Sequence, residues 1–170
     1  GFVPTDQELG FGGPDDAPVS LGGVRFRGRI DRVDCSSGAV FVTDYKSSRR
    51  VSGHAKFADE SKIQAVVYAL AAAAAYELPV AGSVYRSLRS RQMRGFWRSD
   101  LVGGQLALGR EEDAIGDSVF DELLVQTAER IETAVAGIRA GRVPREPSPS
   151  SPFAPTFAER PGGYTRITKI

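Results

Sequence analysis

The chain has 170 residues, 41% of them hydrophobic and 25% charged, with a net charge of +1. These values suit one globular domain with a buried core and exclude a polycation, so any nucleic-acid surface must be a local patch. The single cysteine, Cys35, excludes an internal disulfide framework and any site built on several thiolates, and it favours a reducing, cytoplasmic setting.

No apolar run is long enough to span a bilayer: residues 69–76 are too short. No signal-peptide pattern opens the chain. The first residue is Gly1 rather than Met, and the opening residues read as mid-sequence, either a piece of a larger polypeptide with the core truncated at its N-terminus or a tag scar. Residues 10–18, rich in Gly, Pro and Asp, predict a loop. Alternation over 24–34 predicts a strand, with Val24, Phe26, Gly28 and Ile30 on one face and Arg25, Arg27, Arg29 and Asp31 on the other. Ser36-Ser37-Gly38 marks a turn, and residues 39–46, β-branched and aromatic, predict a second strand antiparallel to the first. A polar loop over 47–59 leads to an Ala-rich helix over 60–76, with Asp59 or Ser61 available as its cap. Leu78-Pro79 ends it. Residues 82–88 predict a third strand. A fourth begins at 95–97, and 104–108 continues it or pairs with it. A second helix covers 117–140, with Phe120, Leu123, Leu124, Ile131, Val135 and Ile138 near helical spacing. Residues 144–161 hold six prolines and form a Pro-rich tail rather than regular structure. The division is therefore a core over 1–143 and a tail over 144–170. The element order predicts an α/β fold with a mixed sheet.

Asp44-Tyr45-Lys46 is the first candidate for chemistry. Side chains at i and i+2 of a strand share a face, so Asp44 and Lys46 point the same way. A hairpin symmetric about Ser37 and Gly38 pairs 34 with 41, 33 with 42 and 31 with 44. Asp31 then faces Asp44, with Cβ atoms about 4.5–5.5 Å apart. Like charges so placed destabilise a sheet, and a divalent cation between them would reverse that sign. Carboxylate oxygens suit hard ions such as Mg²⁺ or Mn²⁺. A D-x-K triplet alone is also a common surface ion pair, which contributes little.

Further residues narrow the reading. Gly28-Arg29-Ile30-Asp31-Arg32-Val33-Asp34 precedes Asp44-Tyr45-Lys46-Ser47. Gln64 and Tyr68 follow at i, i+4 on the first helix. Upstream lies Pro4-Thr5-Asp6-Gln7-Glu8. In kind, order and spacing these resemble the G-x-hydrophobic-D-R-hydrophobic-D, D-Y-K-[ST], Q-x-x-x-Y and P-x-x-x-E motifs of RecB-type nucleases in the PD-(D/E)xK superfamily. The resemblance covers roughly residues 4–68.

That resemblance implies a restriction-endonuclease-like fold, a mixed central sheet flanked by helices. It also implies a Mg²⁺- or Mn²⁺-dependent DNA nuclease of exonuclease type, working in DNA end processing, recombination or repair with a helicase domain or subunit. Carried over by position, Asp31 and Asp44 are metal ligands, the Tyr45 carbonyl is a further ligand, Lys46 is the catalytic lysine, and Glu8 assists at the metal directly or through water. Gln64 and Tyr68 shape the site and hold the DNA strand, although an isolated Gln or Tyr on an Ala-rich helix is more often packing. Many members carry an upstream histidine. His54, the only one here, does not match that position and reads as a surface residue. Some relatives bind an iron–sulfur cluster through C-terminal cysteines; the tail has none, so no cluster is expected, and Phe153, Phe157 and Tyr164 could instead clamp it by apolar contact.

Arg86, Arg89, Arg91, Arg94 and Arg98 fall within thirteen residues that contain no acid, interleaved with Phe96 and Trp97. Such a mix can grip phosphates and stack on bases, or can be a solvated hairpin with core aromatics. Arg49 and Arg50 offer a second positive edge beside Lys46. Arg49, Arg89, Arg91 and Arg94 are the DNA-binding candidates. Two hypotheses remain: an active nuclease, and a non-catalytic DNA-binding module that keeps the fold. No phosphate-loop, zinc-binding or nucleophile-elbow motif supports a rival enzyme class.

Overall fold

The computed structural model describes residues 1–103 and 109–142. The strand expected at 104–108 and the tail at 144–170 lie outside the described residues. The strands are β1 (Val3–Phe11), β2 (Val19–Leu21), β3 (Val24–Phe26), β4 (Gly28–Cys35), β5 (Val40–Lys46), β6 (Val80–Ser87), β7 (Met93–Arg98) and β8 (Ala114–Ile115). The helices are α1 (Gln64–Tyr76), the one-turn α2 (Ser99–Val102) and α3 (Asp117–Arg139). Six strands form one sheet in the order β1-β4-β5-β6-β7-β8, and β2 and β3 form a separate pair. The sheet is mixed: β5 with β6 and β7 with β8 run parallel, and the other neighbours are antiparallel. The architecture is the expected restriction-endonuclease-like sheet flanked by helices.

Helix α1 carries the chain from β5 to the parallel β6, as a crossover must. Its alanines let it lie close to the sheet: Ala65, Val66, Val67, Ala69, Ala71 and Ala72 are all buried. Beneath it, Ile30, Val33, Val40, Val42, Phe57 and Phe96 form the main core. Phe41, Ala81, Met93 and Trp97 form a second cluster. Val40, Val42 and Phe41 alternate between the two, as a pleated strand buried on both sides requires. Gly82 stands opposite Phe41, where a Cβ would come within 2.6 Å of the Phe41 ring, so the close approach of β5 to β6 needs glycine there.

Several sequence expectations change. The strand over 24–34 breaks at Arg27, and its first part pairs with β2 instead of joining the main sheet. The first helix starts at Gln64, not residue 60, and Ile63 holds the N-cap position without a side-chain cap. Ser61 sits at φ 51°, a left-handed conformation that a helix cannot absorb. The upstream segment, read only as a motif, is the nine-residue edge strand β1. On α3, Phe120, Leu123 and Ile131 are buried as expected, but Ile138 is 63% exposed.

Candidate active site

The hairpin register is the one that the turn predicts. Asp34 pairs with Phe41, Val33 with Val42 and Arg32 with Thr43. The ladder ends there, one step short of Asp31 and Asp44. Ile30 and Val33, three residues apart, are both fully buried in the same core, so strict alternation is broken between them, and Asp31 lies in the break. Its carboxylate replaces the missing ladder bond: the Tyr45 backbone N–H donates to Asp31 Oδ2 at 2.7 Å. Asp31 is thus fixed to β5 through its side chain.

Asp44 is 5% exposed. Lys46 Nζ lies 2.7 Å from Asp44 Oδ2, an ion pair of poor angle, and this buried oxygen has no well-directed donor among the described residues. Burial pushes the Asp44 carboxyl above the ordinary aspartate range; the Lys46 ammonium opposes that, and the charge of Asp31 reinforces it. Lys46 Nζ also donates to Gln64 Oε1 at 2.6 Å. Gln64 Nε2 donates to the Tyr68 hydroxyl at 2.9 Å, and the Tyr68 ring stands edge-on to Phe11 with centroids 5.7 Å apart. The D-x-K strand and the Q-x-x-x-Y helix are therefore joined by one chain of contacts, from Asp44 through Lys46 and Gln64 to Tyr68.

Tyr85, which the sequence did not single out, supports this chain from below. It stands opposite Asp44 on β6, its ring lies 5.1 Å under Lys46 Nζ, and its hydroxyl accepts from Ala65 N–H at 3.1 Å. That bond satisfies one donor of the first turn of α1 and fixes the turn that carries Gln64. Nothing near Tyr85 in sequence announces this role, because only the parallel pairing of β5 and β6 brings it there.

Glu8 joins Asp31 and Tyr45 in lining a cleft of about 410 Å³, with Gln7 and Arg32. Its backbone is left-handed, φ 59°, and its exposed carboxylate pairs with Arg29 at 3.1 Å. Arg32 holds Asp34 with bonds of 2.7–3.0 Å, and these bonds raise the guanidinium pKa above its ordinary value.

The arginines divide into two groups. Ser87 Oγ donates to Ser48 O and Ser90 Oγ to Arg49 O, each at 2.6 Å. Leu88 N–H donates to Lys46 O at 2.9 Å. The β6–β7 turn is thereby stitched to the loop after Lys46, which brings exposed Arg89 and Arg91 beside exposed Arg49. Arg94 is placed differently: its guanidinium bonds Asp113 at 2.6 and 3.2 Å and Glu112 at 2.6 Å. His54 is not a surface residue; its side chain is 16% exposed, with Nδ1 3.9 Å from Asp113 Oδ1.

The family model of the PD-(D/E)XK nuclease superfamily matches residues 1–153. The chain belongs to that superfamily. The comparison with curated proteins gives no match. Divalent metal chemistry, common in PD-(D/E)XK nucleases, can be tested against the donors present. Asp44 stands on the D-x-K strand and Asp31 is bonded to that strand's Tyr45 N–H, and one buried oxygen of Asp44 has no well-directed donor among the described residues. Mg²⁺ binds through one or two carboxylates and keeps several waters, so this pair fits such an ion. Among the described residues no group of three His, Cys, Asp or Glu side chains converges to hold one. Glu8, engaged with Arg29, does not complete such a group.

Proposed function

We propose that the chain is a RecB-type, Mg²⁺- or Mn²⁺-dependent deoxyribonuclease, an exonuclease that processes DNA ends in recombination or repair beside a helicase domain or subunit. The observation that carries the reading is the position of Lys46, held between the buried carboxylate of Asp44 and the amide of Gln64. An ammonium on a long side chain is otherwise mobile; here two partners and a ring face fix it against the Asp44 carboxylate.

In this reading Asp31 and Asp44 hold the cation, with the Tyr45 carbonyl as a further ligand and Glu8 assisting once released from Arg29. When bound, the divalent ion supplies positive charge against phosphate oxygens and makes water a stronger acid. Lys46 orients the attacking water through an N–H and stabilises the negative charge that builds on the phosphate. Gln64 and Tyr68 keep Lys46 in place and contact the strand. Arg49, Arg89 and Arg91 grip the backbone of the DNA beside the site.

The second reading, a DNA-binding module without turnover, is favoured by one observation: the absence of a converged three-acid group among the described residues. Cleavage of end-labelled single- and double-stranded DNA in Mg²⁺, Mn²⁺ or EDTA separates the two. The nuclease reading expects metal-dependent products from the wild-type chain and none from Asp31→Asn or Asp44→Asn. DNA retention without products in any metal would establish the binding module instead.

A further inference from the structure

A second cleft of about 410 Å³ opens beside Lys46, and Lys46, Ser48, Arg50, Lys62, Gln64 and Tyr85 are among its lining residues. Three of these are cations, and no Asp or Glu lines the cleft. Lys62 is not a loosely tethered surface residue. Its Nζ bonds Ser52 Oγ at 3.0 Å and pairs with Glu60 Oε2 at 2.6 Å, and it lies 5.6 Å from the centroid of the same Tyr85 ring that supports Lys46. Those two contacts use two of the three ammonium donors. The Ser52 hydroxyl itself donates to Glu60 at 2.6 Å, which locks the trio. Arg50 has no side-chain partner among the described residues and lines the same cleft.

A held Lys62 and an unpartnered Arg50, in a cleft that no Asp or Glu lines and next to a candidate catalytic lysine, are suited to a run of phosphates rather than to one. We propose that Lys62, with Arg50, forms a subsite for the backbone phosphate adjacent to the one held at Lys46. The substrate is then a single polynucleotide strand gripped on successive phosphates. The inference rests on the nuclease reading for the place of the first phosphate, and the grip itself needs no metal. Glu60 neutralises part of the Lys62 charge without lining the cleft, so Lys62 is held in position with a donor left for an anion.

The test is binding in EDTA, read by fluorescence anisotropy of an end-labelled single-stranded oligonucleotide over a KCl series. Lys62→Gln should flatten the slope of log affinity against log salt by about 0.7, the value for one phosphate contact on a single strand, which is about fivefold at 0.1 M relative to 1 M salt. Lys62→Arg should keep the wild-type slope, which guards against a merely structural effect of the first variant. A scan with one methylphosphonate at successive positions should then find a position where neutralising the phosphate weakens wild type but not Lys62→Gln. An unchanged slope in Lys62→Gln, or losses that simply add at every position, would overturn the subsite. Cleavage by wild type without this coupling would leave the nuclease reading intact and remove the subsite. Coupling in a chain that cleaves in no metal would keep the subsite and remove the nuclease reading.

Discussion

Lys46 Nζ and Gln64 Oε1 stand 2.6 Å apart, across eighteen residues of sequence. This bond makes strand β5 and helix α1 one unit, because the lysine that pairs with Asp44 is aimed by a side chain on the helix. Gln64→Ala should therefore lower the rate of the chemical step by a larger factor than it weakens DNA binding. A hydrogen bond to a charged group contributes about 1.5–3 kcal/mol, so the loss should be about 10- to 150-fold in single-turnover cleavage. Tyr68→Phe removes only the neutral bond behind it and should cost a few-fold.

Asp44 gives a pH-dependent prediction for the metal-free protein. Its folded pKa is raised, chiefly by burial. A raised carboxyl contributes stability that is fully present below the unfolded pKa and is lost as pH rises through the folded pKa. At neutral pH the ionised Asp44 therefore opposes folding. Asp44→Asn in EDTA should raise Tm at neutral pH, and the two proteins should converge in acid, below the ordinary aspartate range. With Mn²⁺ added at neutral pH, wild type should gain Tm by binding and the variant should not.

Arg94 and its neighbours should separate by assay. Asp113 is 1% exposed and bonded by Arg94, so Arg94→Leu strands a buried carboxylate at a cost of about 3–5 kcal/mol in urea unfolding. Arg89→Ala and Arg91→Ala touch exposed side chains and should leave unfolding within about 0.5 kcal/mol of wild type. They should weaken DNA binding and reduce its salt dependence.

Tyr85→Phe keeps the ring under Lys46 and removes the acceptor of Ala65 N–H, a buried donor. The cost should be about 1–3 kcal/mol in chemical denaturation.

Much of this arrangement was legible in the sequence for definite reasons. Ser37-Gly38 sets a tight turn, and a tight turn fixes antiparallel register, so the pairing of residues 32–35 with 40–43 followed directly. The Ala-rich run and the spacing of Phe120, Leu123 and Ile131 gave both long helices. The step from register to a face-to-face Asp31 and Asp44 fell one pair short, because Ile30 and Val33 both turn into the core and the carboxylate bonds Tyr45 N–H instead. Strand β1 was hidden because it is an exposed, polar edge strand with an irregular register, which leaves little alternation to detect. Tyr85 was hidden for another reason. The register of a parallel pair is set by a distant crossover and its packing, not by an adjacent turn, so nothing local places Tyr85 against Asp44.

In the proposed nuclease, Lys46, set between Asp44 and Gln64, acts on a DNA phosphodiester. Single-turnover cleavage of end-labelled DNA in Mn²⁺, with wild type and Lys46→Ala purified side by side, tests it most directly. Wild type should give metal-dependent products, and the variant should react about 10²- to 10⁴-fold more slowly, the range for loss of a positioned proton-transfer group. Products formed at equal rates by the two proteins would contradict it.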